Sequence, residues 1–147
     1  MEIQVEALLM GRQYKLLLDS YVGSLKEKYG LKTAEIKALY YLRRSGKNNA
    51  AKDIVAFLHM NKGYISSTME SLRQKGYVTA ERDANDYRIL RYSLTEAAGS
   101  LTAEIDEAIG RLYRTLFEGV SPEDREALTR TARQMARNIG EIQEETE

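Results

Sequence analysis

The sequence predicts a mainly helical fold with one β-hairpin, on three observations. A single proline in 147 residues leaves long stretches free of the residue that breaks helices. Apolar residues recur at spacings of three and four over most of the chain, the period of amphipathic helices. Near the middle, two runs rich in β-formers, Tyr77–Arg82 and Arg88–Leu94, interrupt that period. They flank Asp83-Ala84-Asn85-Asp86-Tyr87, a polar stretch of turn residues.

The first helix is expected from about Glu2 to Lys28, with Tyr14, Leu17, Leu18, Tyr21, Leu25 and Tyr29 on one side and Gly30 as its stop. Thr33 is expected to cap a second helix, which carries Ile36, Leu39, Tyr40 and Arg43 on one face and ends at Ser45-Gly46. Asn48 or Asn49 begins a short third helix with Ala51, Ile54, Val55 and Leu58 inward. The turn His59-Met60-Asn61 leads into a fourth helix, capped by Asn61 and ended by Gly76. Its inward set is Ile65, Met69 and Leu72. Two short helices joined by three residues have the spacing of a helix-turn-helix.

A lone hairpin is marginal in water, so the one that follows must lean on the helices. Thr95 is expected to cap a fifth helix with a stripe of Leu101, Ile105, Ala108, Ile109, Leu112 and Leu116, stopped by Gly119. Ser121-Pro122-Glu123-Asp124 is the strongest boundary signal: an N-cap serine, proline at the first helical position, then early acidic residues. The sixth helix carries Leu128, Ala132, Met135, Ile139 and Ile142 at spacings of 4-3-4-3. No repeat or long linker divides the chain, so residues 1–147 are read as a single domain.

Composition narrows the function classes. Cysteine is absent and His59 is the one histidine, which argues against disulfides, thiolate or multi-histidine metal sites and thiol redox sensing. Neither a metal nor another cofactor is expected. The longest aliphatic runs, such as Ala7–Met10, fall far short of the roughly 20 residues a membrane span needs. The amino terminus lacks the basic region of a secretory signal, so the reading is a cytoplasmic protein with no membrane partner. Enzymatic chemistry has little support. His59 near Ser66, Ser67 and Thr68 lacks an orienting partner, and Gly46-Lys47 lacks the upstream glycine of a phosphate loop.

Charge is informative by segment. The 22 basic and 22 acidic residues cancel overall, but Arg43–Tyr92 holds ten basic and five acidic residues, against twelve and seventeen elsewhere. A surplus of five over the helix-turn-helix and hairpin would attract phosphates by counterion release. A solvated face of mixed charge explains the same count equally well.

Three stretches give the chain a family resemblance: Asp53-Ile-Val-Ala-Phe-Leu58, Asn61-Lys-Gly-Tyr-Ile-Ser-Ser-Thr-Met-Glu-Ser-Leu-Arg-Gln-Lys-Gly-Tyr-Val78, and Glu81-Arg-Asp-Ala-Asn-Asp-Tyr-Arg88 running into Ser93-Leu-Thr-Glu96. In this order they resemble the MarR family of winged helix-turn-helix bacterial transcription regulators over nearly the whole chain. Three positions depart from the family pattern. Tyr87 stands where an arginine is common, His59 where the turn glycine is typical, and Gly99 one residue later than usual. Histidine tolerates a left-handed turn better than most residues, whereas Tyr87 weakens the grip on a minor groove.

The resemblance implies a winged helix-turn-helix over 33–94, with the helix-turn-helix at 50–75 and the wing at 77–94, and dimerisation helices at 1–30 and 100–147. It implies a homodimeric reader of double-stranded DNA: a transcriptional regulator, expected to repress from a near-palindromic operator. With Ile65, Met69 and Leu72 inward, the fourth helix would present Lys62, Gly63, Tyr64, Ser66, Ser67 and Glu70 to the major groove. Arg88 would enter a minor groove with Asp86 holding its guanidinium, and Arg82 would contact phosphate. The sixth-helix stripe exceeds what a small winged helix covers. Intramolecular packing would bury it, as would a two-fold dimer, and the resemblance favours the dimer. Tyr14, Tyr21, Tyr40 and Tyr41 are candidates to line a crevice for a small aromatic or phenolic effector, although core tyrosines explain them as well. The rival reading is a non-enzymatic protein-interaction or helical scaffold module whose winged helix is not used on DNA.

Overall fold

The computed structural model describes residues 11–146, with side chains described through residue 140. The expected first helix before Gly11 lies outside the described residues, as do the side chains of Ile142, Glu141, Glu144, Glu145 and Glu147. The described elements follow the predicted order: α1 (Arg12–Tyr29), α2 (Thr33–Ser45), α3 (Ala51–Leu58), α4 (Lys62–Gln74), β1 (Val78–Arg82), β2 (Leu90–Leu94), a 3-10 turn (Glu96–Ala98), α5 (Gly99–Leu116) and α6 (Pro122–Thr146). Tertiary contacts divide the chain into two compact units, Met1–Leu112 and Tyr113–Glu147, a division inside α5 that the sequence reading does not make. No helix among the described residues is long and apolar enough to cross a membrane.

In the first unit, each helix of the core contributes one apolar face. Leu18, Val22 and Leu25 of α1 join Ile36, Leu39 and Leu42 of α2, Ile54 and Leu58 of α3, Ile65, Met69 and Leu72 of α4, and Leu101, Ile105, Ile109 and Leu112 of α5. Val22 is fully buried although the sequence reading omits it from the α1 face. Gly30 ends α1 at φ 65, a left-handed conformation that glycine adopts without steric cost. The antiparallel hairpin pairs Val78 with Leu94 and Ala80 with Tyr92, turning Val78 and Tyr92 into the core.

Three expected caps are corrected. Thr33 is the first helical residue of α2, and the preceding Lys32 N–H donates to the Glu35 carboxylate at 3.0 Å. Neither Asn48 nor Asn49 begins α3, which starts at Ala51 after Ala50, whose N–H donates to the Asp53 carboxylate at 3.0 Å. That frees Asn49 to pair with β2: its carbonyl accepts from the Tyr92 N–H at 3.0 Å and its side-chain amide donates to the Tyr92 carbonyl at 2.8 Å. The α2–α3 connection thereby becomes a short third rung on the hairpin, through an Ala50–Arg91 bridge. Thr95 likewise makes no side-chain cap; its hydroxyl donates to the Gly76 carbonyl and ties the hairpin exit to the end of α4.

Two ionic lashes hold α1 and α2 to α5. Asp106 accepts from Arg43 Nε at 2.9 Å and Arg44 at 2.8 Å. Glu104 accepts from Lys28 Nζ at 2.9 Å and from the Tyr29 hydroxyl. Arg43, placed by the periodicity on the apolar face of α2, thus directs its charge to α5.

In the second unit, Ser121 caps α6 as expected, accepting from the Asp124 N–H at 3.1 Å. Arg125 donates to the Phe117 carbonyl at 3.2 Å and lies 4.9 Å from that ring's centre. Leu116, the last residue of the expected α5 stripe, is exposed, as are Leu128, Met135 and Ile139 on α6, at 40%, 42% and 56%. The core predicts a large penalty at its centre. Leu39→Ala should cost about 2–5 kcal/mol in urea unfolding; a loss below about 1 kcal/mol would show that this position is not tightly packed.

Candidate nucleic-acid interface

The geometry of α4 begins in the turn before it. His59 adopts φ 54, the left-handed conformation expected for it, and reverses the chain after α3. Asn61 then caps α4 by accepting from the Tyr64 N–H at 2.8 Å. With Ile65, Met69 and Leu72 buried, Lys62, Gly63, Tyr64, Ser66, Ser67 and Glu70 all face solvent, as the sequence reading has them. A Cβ added at Gly63 would meet only the Asn61 side-chain oxygen, at 3.5 Å, so the fold itself does not demand glycine there. Glu70 is the one acid on this face, and Arg73 neutralises it through bonds of 2.6 and 2.9 Å that hold its carboxyl below the usual range.

The wing is organised by two aspartates with separate roles. Asp83 accepts from the backbone N–H groups of Asn85 and Asp86, both at 2.9 Å, and so closes the turn. It also accepts from Arg91 Nε at 2.6 Å, while Arg91 Nη1 donates to the Lys47 carbonyl at 2.9 Å and the Asn49 side chain at 3.0 Å. The wing is thereby bolted to the α2–α3 connection. Asp86 holds the Arg88 guanidinium as expected, accepting from Nε and from Nη2, both at 3.0 Å. The Arg88 side chain remains 91% exposed, aimed but unburied. Tyr87 is also exposed, with the Arg82 guanidinium 5.9 Å from its ring centre. Sequence reasoning missed Asp83 and Arg91 as an organising pair. Asp83 was visible as a turn residue and Arg91 as a strand residue, but the partner groups at Lys47 and Asn49 were not.

Between the first turn of α3, the first residue of α4 and the wing runs a groove of about 310 Å3. Lys52, Lys62 and Arg88 stand over an apolar floor that includes Val55, Ile89 and Leu90. Three cations from three elements converge here at the start of two helices, where peptide dipoles also favour anions. Lys52 belongs to the basic surplus of the segment, but nothing in the sequence singles it out. Besides Arg88 with Asp86, Arg43 and Arg44 pair with Asp106, Arg73 with Glu70, Lys75 with Glu35 and Arg91 with Asp83, so six of the segment's ten cations are ion-paired.

The four tyrosines proposed as one effector lining do not come together in that way. Tyr21 lines a cleft with Lys28 and Glu104, while Tyr14 lines a different cavity. Tyr40 lies beneath the Arg44 guanidinium at 3.9 Å, and Tyr41 packs against Phe57 while donating to the Asn48 carbonyl at 2.7 Å. Tyr40 and Tyr41 follow each other about 100° apart around α2, and their side chains meet different neighbours, Arg44 and Phe57. The Tyr14 cavity, about 590 Å3, is bounded by Lys15, Lys26, Lys32 and Lys37 and by Met60 and Tyr64 at the start of α4. Lys26 is 3.4 Å from Asp19; the sequence reading overlooked this lysine cluster.

The wing carboxyls give a signed pH dependence. Hydrogen bonds from Arg91 and then from the turn amides hold Asp83 below its usual value of 3.8, and Arg88 does the same for Asp86. Depressed folded values mean that the wing bonds stabilise fully above the unfolded value and are lost as pH falls through the folded ones. NMR signals of the Asn85 and Asp86 amides should hold from about pH 7 to about pH 5 and change only in stronger acid. Arg91→Ala should speed exchange of those two amides at neutral pH; unchanged exchange would remove Arg91 from the wing's support.

Residues 31–98 match the winged helix DNA-binding domain family. A MarR-family transcriptional regulator from Silicibacter pomeroyi superposes with a TM-score of 0.74 at 23% identity, covering 92% of this chain and 87% of that one. S. aureus MepR in its DNA-binding conformation gives 0.80 at 17% identity, covering 93% and 99%. Bordetella bronchiseptica BpsR, whose DNA binding is regulated by 6-hydroxynicotinic acid, gives 0.70 at 22% identity, covering 90% and 93%. By sequence, residues 31–98 are similar to the winged helix DNA-binding domain family, and the chain that carries them has the fold of the solved MarR-family regulators.

Proposed function

We propose that this protein is a homodimeric transcription regulator that binds a near-palindromic operator and represses from it. In this reading α4 enters the major groove and the wing enters the flanking minor groove. The observation that carries it is the convergence of the exposed polar face of α4 with an exposed Arg88 held by Asp86. Ser66 and Ser67 make phosphate or base-edge contacts, and Gly63 admits close approach of the backbone. No arginine or asparagine stands at the outward positions of the first two α4 turns, so much of the selectivity comes from DNA shape read by Arg88. Lys52 and Lys62 hold phosphates. The match to a winged helix DNA-binding domain and the fold shared with MepR, which has also been solved as a DNA complex, support this reading.

The exposed α6 stripe of Leu128, Met135 and Ile139 supports the dimer, because it is apolar area that a second copy would remove from water. A two-fold axis would place the two α4 helices about 34 Å apart, one turn of DNA. The effector, in this reading, is a small aromatic acid in the cavity under Tyr64. Its carboxylate pairs with the rim lysines, and its ring lies against Tyr14 and Met60. Binding there displaces the first turn of α4 and releases the operator. BpsR, regulated by an aromatic acid, supports that chemistry.

Arg88→Ala should reduce operator affinity by about ten-fold or more at fixed salt, while the sedimentation coefficient stays that of a dimer. Unchanged affinity would overturn the wing's role, and a monomer at micromolar concentration would overturn the dimer. If the native protein binds no duplex even at low salt, the scaffold reading replaces the regulator. Lys52→Ala should weaken specific and non-specific binding alike and lower the salt slope by about one.

A further inference from the structure

The buried carboxylate of Glu35 has no place in the interface described above, yet its contacts converge on the recognition helix. It lies at the first turn of α2, with only 2% of its side chain exposed. Four hydrogen bonds satisfy it: from the Lys32 N–H at 3.0 Å, from the Ser71 hydroxyl at 3.1 Å, and from Lys75 Nζ at 3.1 and 2.8 Å. Lys75 also donates to the Gly30 carbonyl at 2.9 Å. Ser71 lies in the last turn of α4 and Lys75 is its C-cap, so one buried acid binds the end of α4 to the α1–α2 junction.

We infer that Glu35 is the positioning residue that sets the pitch and rotation of α4 and, through them, operator affinity. This rests on the DNA-binding reading above. The apolar face of Ile65, Met69 and Leu72 fixes which side of α4 is inward, but apolar contacts are non-directional and tolerate small turns about the helix axis. A buried carboxylate with directional, charge-assisted bonds does not. The arrangement is lopsided. The last turn of α4 is bolted through Ser71 and Lys75, whereas the first turn faces the lysine-rimmed cavity through Tyr64. Any displacement of Tyr64 therefore swings α4 about the Glu35 end, and the outward residues Lys62–Ser67 travel furthest.

The test is the double variant E35Q/K75M in the full chain. It removes one charge of each sign, so net charge and long-range attraction to DNA are unchanged. Replacing both partners of a buried pair costs far less stability than removing one. The probes are a duplex selected by the native protein from a random pool and an unrelated duplex of the same length. The double variant should melt within a few degrees of the native protein and bind the unrelated duplex within about two-fold, yet lose about ten-fold on the selected one. Amide exchange at Arg73–Tyr77 should accelerate in the DNA-free protein. If the double variant fails to fold, S71A removes a single hydroxyl and should show a smaller loss confined to the selected duplex. A folded variant whose selected-duplex affinity stays within about two-fold of native overturns the role of Glu35 and leaves the DNA-binding reading standing. A native protein that selects no duplex overturns both.

Discussion

Burial of one face of α4 is the constraint on which the rest of the interface depends. Ile65, Met69 and Leu72 are each at most 1% exposed, packed with α2 and α3 residues such as Leu39 and Ile54. Removing that apolar area from water is worth about 25 cal/mol per Å2, and no other orientation of α4 buries it. The same rotation that hides these three side chains brings Lys62, Gly63, Tyr64, Ser66 and Ser67 to the surface together.

Polar bonds then refine what apolar packing leaves loose. Asn61 sets the start of α4, Glu35 its end, Asp83 the turn of the wing and Asp86 the aim of Arg88. Each uses a carboxylate or amide to satisfy backbone donors or a guanidinium, so these groups fix direction where hydrophobic contact does not. Among the described residues, no buried side-chain nitrogen or oxygen lacks a hydrogen-bond partner. Apolar residues decide which face is inward, and these polar side chains tie down the ends of α4 and the turn of the wing.

The charge balance shows how far segment counting reaches. A surplus of five between Arg43 and Tyr92 includes Lys52, Lys62 and Arg88, which converge on one groove. It did not distinguish cations that face outward from those used inside. Arg43 and Arg44 serve α5, Lys75 serves Glu35 and Arg91 serves the wing, in each case through an acid remote in sequence or across the hairpin. The tyrosines failed for a related reason. Periodicity identified residues near the α1–α2 region, but a cavity is defined by what several elements leave empty, and Tyr14 shares its cavity with lysines and Met60.

Periodicity and local stereochemistry were enough to determine the order of the six described helices and the hairpin, the Asn61 and Ser121 caps and the outward face of α4, and the family resemblance added the turn at His59 and the Asp86–Arg88 pair. All of these depend on residues within a few positions of one another, where sequence distance and spatial distance coincide. The tertiary structure alone decided the pairing of Asn49 with β2, the loss of the Thr33 and Thr95 caps, the Asp83–Arg91 bolt and the burial of Glu35 beneath Lys75. Each of these joins groups by proximity that only packing creates: Glu35 and Lys75 are 40 residues apart in the chain and 2.8 Å apart in space.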